Sequence, residues 1–176
     1  VTPFALHLAA WADALHRRHG RAEVPVAVAV AGRETRDALR TVGTFVRTAM
    51  ARLTLGGDPA EAVARTAAEL AAARRRADVP LADVVARTMR ARHRGAQPLA
   101  QTMVALQPAG PRRWVVGGHD VTLSVDTGVA ERTGYDVVLN VLDDALLVDH
   151  RVPLVAPASV DALVRDWVAF VTAFAR

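Results

Sequence analysis

The chain has 176 residues and is 52% hydrophobic, with 22 basic and 18 acidic side chains, a formal net charge of +4 and no cysteine. That length and apolar content suit one domain with its own core and are too small for two. The absence of cysteine excludes a disulfide framework, thiolate catalysis and a zinc-thiolate site, and no apolar run approaches the ~18 residues of a membrane span, so a cytoplasmic location is expected.

Thr2 followed by Pro3 is a helix start, a capping side chain and then proline in the first turn. Phe4, Leu8, Trp11 and Leu15 recur on one face, Arg17, Arg18 and His19 suit the negative end of the dipole, and Gly20 ends the helix. The Val/Ala run from Pro25 to Ala31 reads as a strand buried on both faces. A second strand is expected from Phe45 to Leu55, between Gly43 and the pair Gly56 and Gly57. Asp58, Pro59 and Glu61 form a capping signature for a helix running to about Arg76. Asp78 and Pro80 start another, with Leu81, Val84, Val85 and Met89 inward. Ala100 to Gln107 is the next strand.

Beyond Pro108 the pattern becomes short strands at Trp114 to Val116, Val121 to Asp126, Tyr135 to Leu142 and Leu146 to Val152. Asp143 and Asp144 fall where a tight hairpin turn belongs. A closing helix from Pro157 turns Val160, Leu163, Val164, Trp167, Phe170, Val171 and Phe174 inward, a wide apolar face suited to packing on a sheet. The expectation is a single α/β domain with a mixed sheet covered by helices.

Few residues offer chemistry by themselves. His16 and His19 are spaced for a shared metal, but no third ligand lies nearby, and their position in the last helical turn reads as dipole complement; no metal is expected. Gly118, His119 and Asp120 read as a loop, because sequence neighbours in an extended segment point apart and no nucleophile accompanies them. The glycine pairs at 56–57 and 117–118 lack the third glycine and the lysine of a phosphate loop. Asp143 and Asp144 read as a solvated turn. All 22 basic residues are arginine, and lysine and isoleucine are absent, which suggests a GC-rich coding bias more than a selected surface. The basic clusters Arg74, Arg75, Arg76 and Arg87, Arg90, Arg92, Arg94 lack the interleaved aromatics of a nucleic-acid surface, so no nucleic acid is expected.

Three segments taken in order carry more information. Val42 to Thr48 reads VGTFVRT and is followed by Arg52; Asp78 to Leu81 reads DVPL; Gln97 to Gln101 reads QPLAQ and runs into Met103, Leu106 and Gln107. In order and spacing they resemble the later motifs of the condensation domains of nonribosomal peptide synthetases, roughly VGxFVNTxxxR, HQDxPFE and RNPLFQxMFxLQ. Gly32 with Arg33, Asp126 to Gly128, and Tyr135 with Asp136 extend the resemblance to nearly the whole chain. Physical roles can also be given to the motif residues: Gly43 for a backbone shape that a side chain would obstruct, Phe45 as core filler, Asp78 and Pro80 as a helix start. Departures are Arg47 for the family's Asn, Arg76 and Ala77 for His-Gln, Leu81 for Phe, and Gln97 for Asn.

The resemblance implies one lobe of a two-lobed, chloramphenicol-acetyltransferase-like fold. The catalytic HHxxxDG of the family lies in the other lobe, and no His-His pair occurs here, so the chain, which starts at Val1 in what looks like the first helix of the second lobe, is read as the carboxy-terminal half. In the family such segments line a tunnel in which a carrier-bound thioester meets an acceptor amine. The resemblance therefore implies structural or tunnel-facing roles for Gly43, Phe45, Arg47, Thr48, Arg52, Asp78, Pro80, Gln97, Pro98 and Gln101, and no catalytic residue. It implies substrates presented on the phosphopantetheine of carrier proteins, no directly bound cofactor, and the amino-terminal lobe and carrier proteins as partners. Arg74, Arg75, Arg76, Arg90, Arg92 and Arg94 are candidate carrier contacts on charge alone. Two other readings stand beside this one: a noncatalytic condensation-like domain that recruits a tailoring enzyme, and a lobe of a free-standing acyltransferase. An isolated lobe is expected to be inactive and, with its partner-facing apolar surface bare, to self-associate.

Overall fold

In a computed structural model of the chain, residues 1–88, 97–107, 113–122, 134–143 and 145–176 are described. The first helix, α1 (Pro3–His19), is capped as its sequence directs: the Thr2 hydroxyl accepts from the Ala5 N–H at 3.3 Å, and Gly20 adopts a left-handed conformation, its N–H donating to His16 at 2.7 Å. Strand β1 (Glu23–Val30) follows, then a short helix α2 (Arg36–Arg40) that sequence pattern did not reveal, and strand β2 (Arg47–Thr54), which starts two residues later than expected. Helix α3 (Pro59–Arg76) has the expected bounds, with Asp58 accepting from the Ala60 N–H at 3.0 Å. Glu61 completes no capping box and instead pairs with Arg65 at 3.5 Å.

After helix α4 (Leu81–Thr88) come β3 (Thr102–Leu106), β4 (Arg113–Val116), β5 (His119–Thr122), β6 (Val137–Val141), β7 (Leu146–His150) and helix α5 (Pro157–Phe174). His119 and Asp120, read as loop, are strand residues: they pair antiparallel with Val116 and Val115 across a turn of Gly117 and Gly118, both at positive φ as a tight hairpin requires. The β6–β7 hairpin closes where Asp143 predicted, with the Leu142 N–H donating to Ala145 at 2.9 Å. Met89, His93, Asp126 to Gly128 and Asp144 lie outside the described residues.

Five strands form one sheet in the order β2-β1-β3-β6-β7, with β1, β3 and β6 mutually parallel and the two outer strands antiparallel to them. The sheet is mixed and covered by helices, as expected. On the covered face α1 lies between α3 and α5. Val24, Val26, Val28 and Val30 turn toward these helices and pack with Ala49, Ala51 and Leu53 of β2 and Leu139 of β6. Trp11 is fully buried there, and its indole N–H donates to the Thr102 hydroxyl at 2.9 Å. That bond satisfies two polar groups at once and ties α1 to β3.

β1 is only partly covered on its other face, where Ala27 is buried but Pro25 and Ala29 are half-buried. Pro25 sits near the centre of a sheet, a place that normally rejects proline. It is accommodated because pairing with β3 begins two residues later, at Ala27, so the missing N–H faces a position where no ladder bond is due.

Candidate functional site

Between β1 and β2 the chain makes an arch that one arginine organises. Gly32 has φ +65, and a Cβ there would lie 2.2 Å from the Phe45 carbonyl oxygen, so two backbones meet where a side chain cannot fit. The next residue, Arg33, donates to the carbonyls of Ala38, Thr41 (2.8 Å) and Gly43 (2.7 Å) and lies 4.3 Å over the Phe45 ring. Phe45 is therefore half-buried beneath a cation and is not core filler. Gly43 has φ +153, and a Cβ there would meet the Phe45 ring only at ordinary contact distance, so its backbone angle and not lack of space favours glycine. The residue that explains the arch, Arg33, was visible only as the second half of the Gly-Arg pair.

Arg47 and Asp78 are brought together from sites 31 residues apart. The Arg47 guanidinium pairs with Asp78 and stands 3.8 Å from Glu34, bridging the arch to the corner between α3 and α4. Asp78 is therefore not the cap of α4. That place belongs to Pro80, whose carbonyl accepts from the N–H groups of Asp83 and Val84 at 3.0 and 3.3 Å. Leu81 and Val84 are only half or less buried, and Val85 is the buried member of α4 among the described residues.

Thr48 and Arg52 reach the uncovered side of the sheet. Arg52 holds Glu23 through two bonds of 2.9 and 2.8 Å, which depress the Glu23 carboxyl and raise the guanidinium in an exposed, bidentate pair. Thr48 hydrogen-bonds the phenol of Tyr135, whose pKa is raised by burial against the opposing pull of that bond. Both Thr48 and Arg52 line a cleft of about 790 Å³ with Met50, Leu81, Val84 and Leu99. Leu99, inside the QPLAQ segment, has φ +72, an uncommon conformation for a branched residue.

The segment leading into β3 closes on itself. Gln101 donates to the Gln97 carbonyl at 3.3 Å, Ala100 donates to Pro98 at 2.9 Å, and the Gln97 side chain lies against Gly134. Gln101 also borders a second cavity of about 890 Å³ between the end of α1 and the start of α5, away from Thr48. The expected tunnel residues are thus divided: Thr48 and Arg52 share one cleft, Gln101 lines a different cavity, and Arg47, Asp78 and Pro80 line neither.

Of the basic candidates, Arg74, Arg75 and Arg76 are exposed at the end of α3, and Arg76 pairs with Glu69 at 2.6 Å. Arg90, Arg92 and Arg94 lie outside the described residues. His16 donates through Nδ1 to the Arg21 carbonyl at 2.7 Å, and no group of three metal-ligating side chains occurs among the described residues. No helix among them is long and apolar enough to cross a membrane.

A mixed five-stranded sheet with helices packed on it and a cleft along its β2 edge gives an α/β fold of the chloramphenicol-acetyltransferase-like kind. The family model for the condensation domain matches residues 1–148, and the chain belongs to that family. The phosphinothricin tripeptide synthetase PhsB of Streptomyces viridochromogenes is 35% identical over 109 residues, which are 61% of this chain and 9% of that protein. The fold is shared with the condensation domain of the monacolin K polyketide synthase MokA at a TM-score of 0.79 and 22% identity, over 99% of this chain and 41% of that one. It is shared also with the four-domain nonribosomal peptide synthetase AB3403, at 0.80 and 19% identity over 98% of this chain and 14% of that one. The X-domain solved with OxyB from teicoplanin biosynthesis matches at 0.75 and 19% identity, over 97% and 39%. The chain therefore spans about two fifths of two of these structures and a small part of the synthetases.

Proposed function

We propose that the chain is the carboxy-terminal lobe of a nonribosomal peptide synthetase condensation domain and serves as tunnel wall and carrier-docking surface for a reaction whose base lies in the other lobe. In that reaction the acceptor amine attacks the donor thioester carbonyl, a C–N bond forms as the C–S bond breaks, and the amine proton ends on the released thiol. The observation that carries the reading is the one-sidedness of the lobe. Its helices cover one face of the sheet, while Thr48, Met50 and Arg52 and the hairpin side chains Val115 (72% exposed) and Val116 (62%) are left turned outward. Apolar side chains left exposed, as on the hairpin, are what a partner surface would cover. Matches that span nearly all of this chain and about two fifths of single condensation domains support the same division.

The test is reconstitution. The chain is mixed with a separately produced amino-terminal lobe bearing HHxxxDG and with loaded donor and acceptor carriers. Product with both lobes and none with either alone is the expected result; turnover by this chain alone overturns the reading. Carrier docking has its own check. Arg74 and Arg75 have no acidic partner among the described residues. Arg74→Glu with Arg75→Glu is expected to weaken carrier binding about three- to tenfold and to flatten its salt dependence.

The likeness to the teicoplanin X-domain favours a second reading, in which the parent is noncatalytic and recruits a tailoring enzyme. Reconstituted lobes that bind an oxygenase and form no amide would select it.

A further inference from the structure

We propose that the outer edge of β2, with α4 as its opposite wall, is a groove that binds a short, uncharged peptide in extended conformation by strand addition. Ladder parity fixes which main-chain groups face the groove. Leu55 donates inward, to Ala22 at 3.3 Å, whereas the Arg52 N–H points the other way and is taken by the Glu69 carboxylate at 3.1 Å. The N–H groups of Thr48 and Met50 share the Arg52 parity, and neither has a partner among the described residues.

The cleft of about 790 Å³ lies along this edge, and Leu81 and Val84 present apolar surface from its far side. Its charges are spent on one another, Glu23 on Arg52 and Glu69 on Arg76, so it offers an occupant no net charge. What remains is a strand edge and an apolar wall, the combination that receives an added strand, in which main-chain bonds supply affinity and alternate side chains supply selectivity. Glu69 also sets a length. It plugs the edge at Arg52, so a guest paired to Thr48 and Met50 has room for about three residues at ~3.4 Å each before it meets the carboxylate. The inference does not depend on the condensation reading, because it requires only the groove.

The experiment is a nitrogen-15 chemical-shift titration of the whole chain with a valyl-alanyl-valine peptide capped at both ends, against the same peptide methylated on every amide nitrogen. The expected result is saturable shifts at Thr48, Met50 and α4, with the methylated peptide bound at least about tenfold more weakly. Val84→Asp, at a position that is not part of the core, is expected to abolish the shifts without unfolding the chain. Equal binding of the two peptides, shifts elsewhere, or no saturable shift up to about 10 mM overturns the proposal. Concentration-dependent protection of Thr48 and Met50 without peptide also overturns it, since the edge would then belong to a second copy of the chain.

Discussion

Single side chains at the arch and in the α1 layer carry consequences that can be measured. Gly32→Ala places a methyl group against the Phe45 carbonyl at a positive φ, and a loss of about 2–4 kcal/mol in urea denaturation is expected. Thr102→Val removes the acceptor of the Trp11 indole in a fully buried setting, which costs about 1–3 kcal/mol by leaving that N–H unsatisfied. His7 supplies a pH dependence. Its Nδ1 is buried without a partner among the described residues, its ring stacks on Trp167 at 5.3 Å, and burial lowers its pKa. The unfolded chain then binds the proton more readily than the fold does. The stabilisation is complete above the unfolded pKa of about 6.5 and declines as pH falls through it toward the lower folded value. Urea midpoints from pH 8 to pH 5 should therefore fall less steeply for His7→Phe, which keeps the ring and removes the titration; parallel curves for the two proteins would contradict this assignment.

Among the elements, the hairpin β4–β5 stands apart, since all eight of its strand residues are exposed. Replacing residues 113–122 by a short flexible linker should change stability by less than about 0.5 kcal/mol; on the two-lobe reading proposed above, it should also abolish association with the amino-terminal lobe, read by calorimetric titration. The same contrast between local and long-range cause decides what could be read in advance. Helices α1, α3 and α5 were legible because their caps and apolar stripes are local: Thr2, Asp58 and the prolines at 3, 59 and 157 mark the starts. Asp78 was misread because it satisfies a local rule for helix starts but is claimed by Arg47 of strand β2. Phe45 was misread for a similar reason, since its polar neighbour, Arg33, lies twelve positions away. The cleft was half legible: Thr48, Arg52, Leu81 and Leu99 all stand in or beside the three quoted segments, whereas their meeting along the β2 edge is set by tertiary placement.

At the scale of the whole molecule, a net charge of +4 keeps identical chains apart at low salt while the bare apolar side chains draw them together. The chain alone is therefore expected to dimerise more as salt is raised, and sedimentation velocity at low and high ionic strength reads the effect; dimers that dissolve with added salt would point to ion pairs between copies instead. The one-sided placement of α1, α3 and α5 bears also on how an assembled pair of lobes would melt. The cluster from Trp11 to Phe170 lies on the helical side of the sheet, so a partner docked on the opposite side adds burial without entering that cluster. Separation of the lobes and melting of this one are then distinct thermal events: the first shifts with protein concentration, and the second stays where the isolated chain places it.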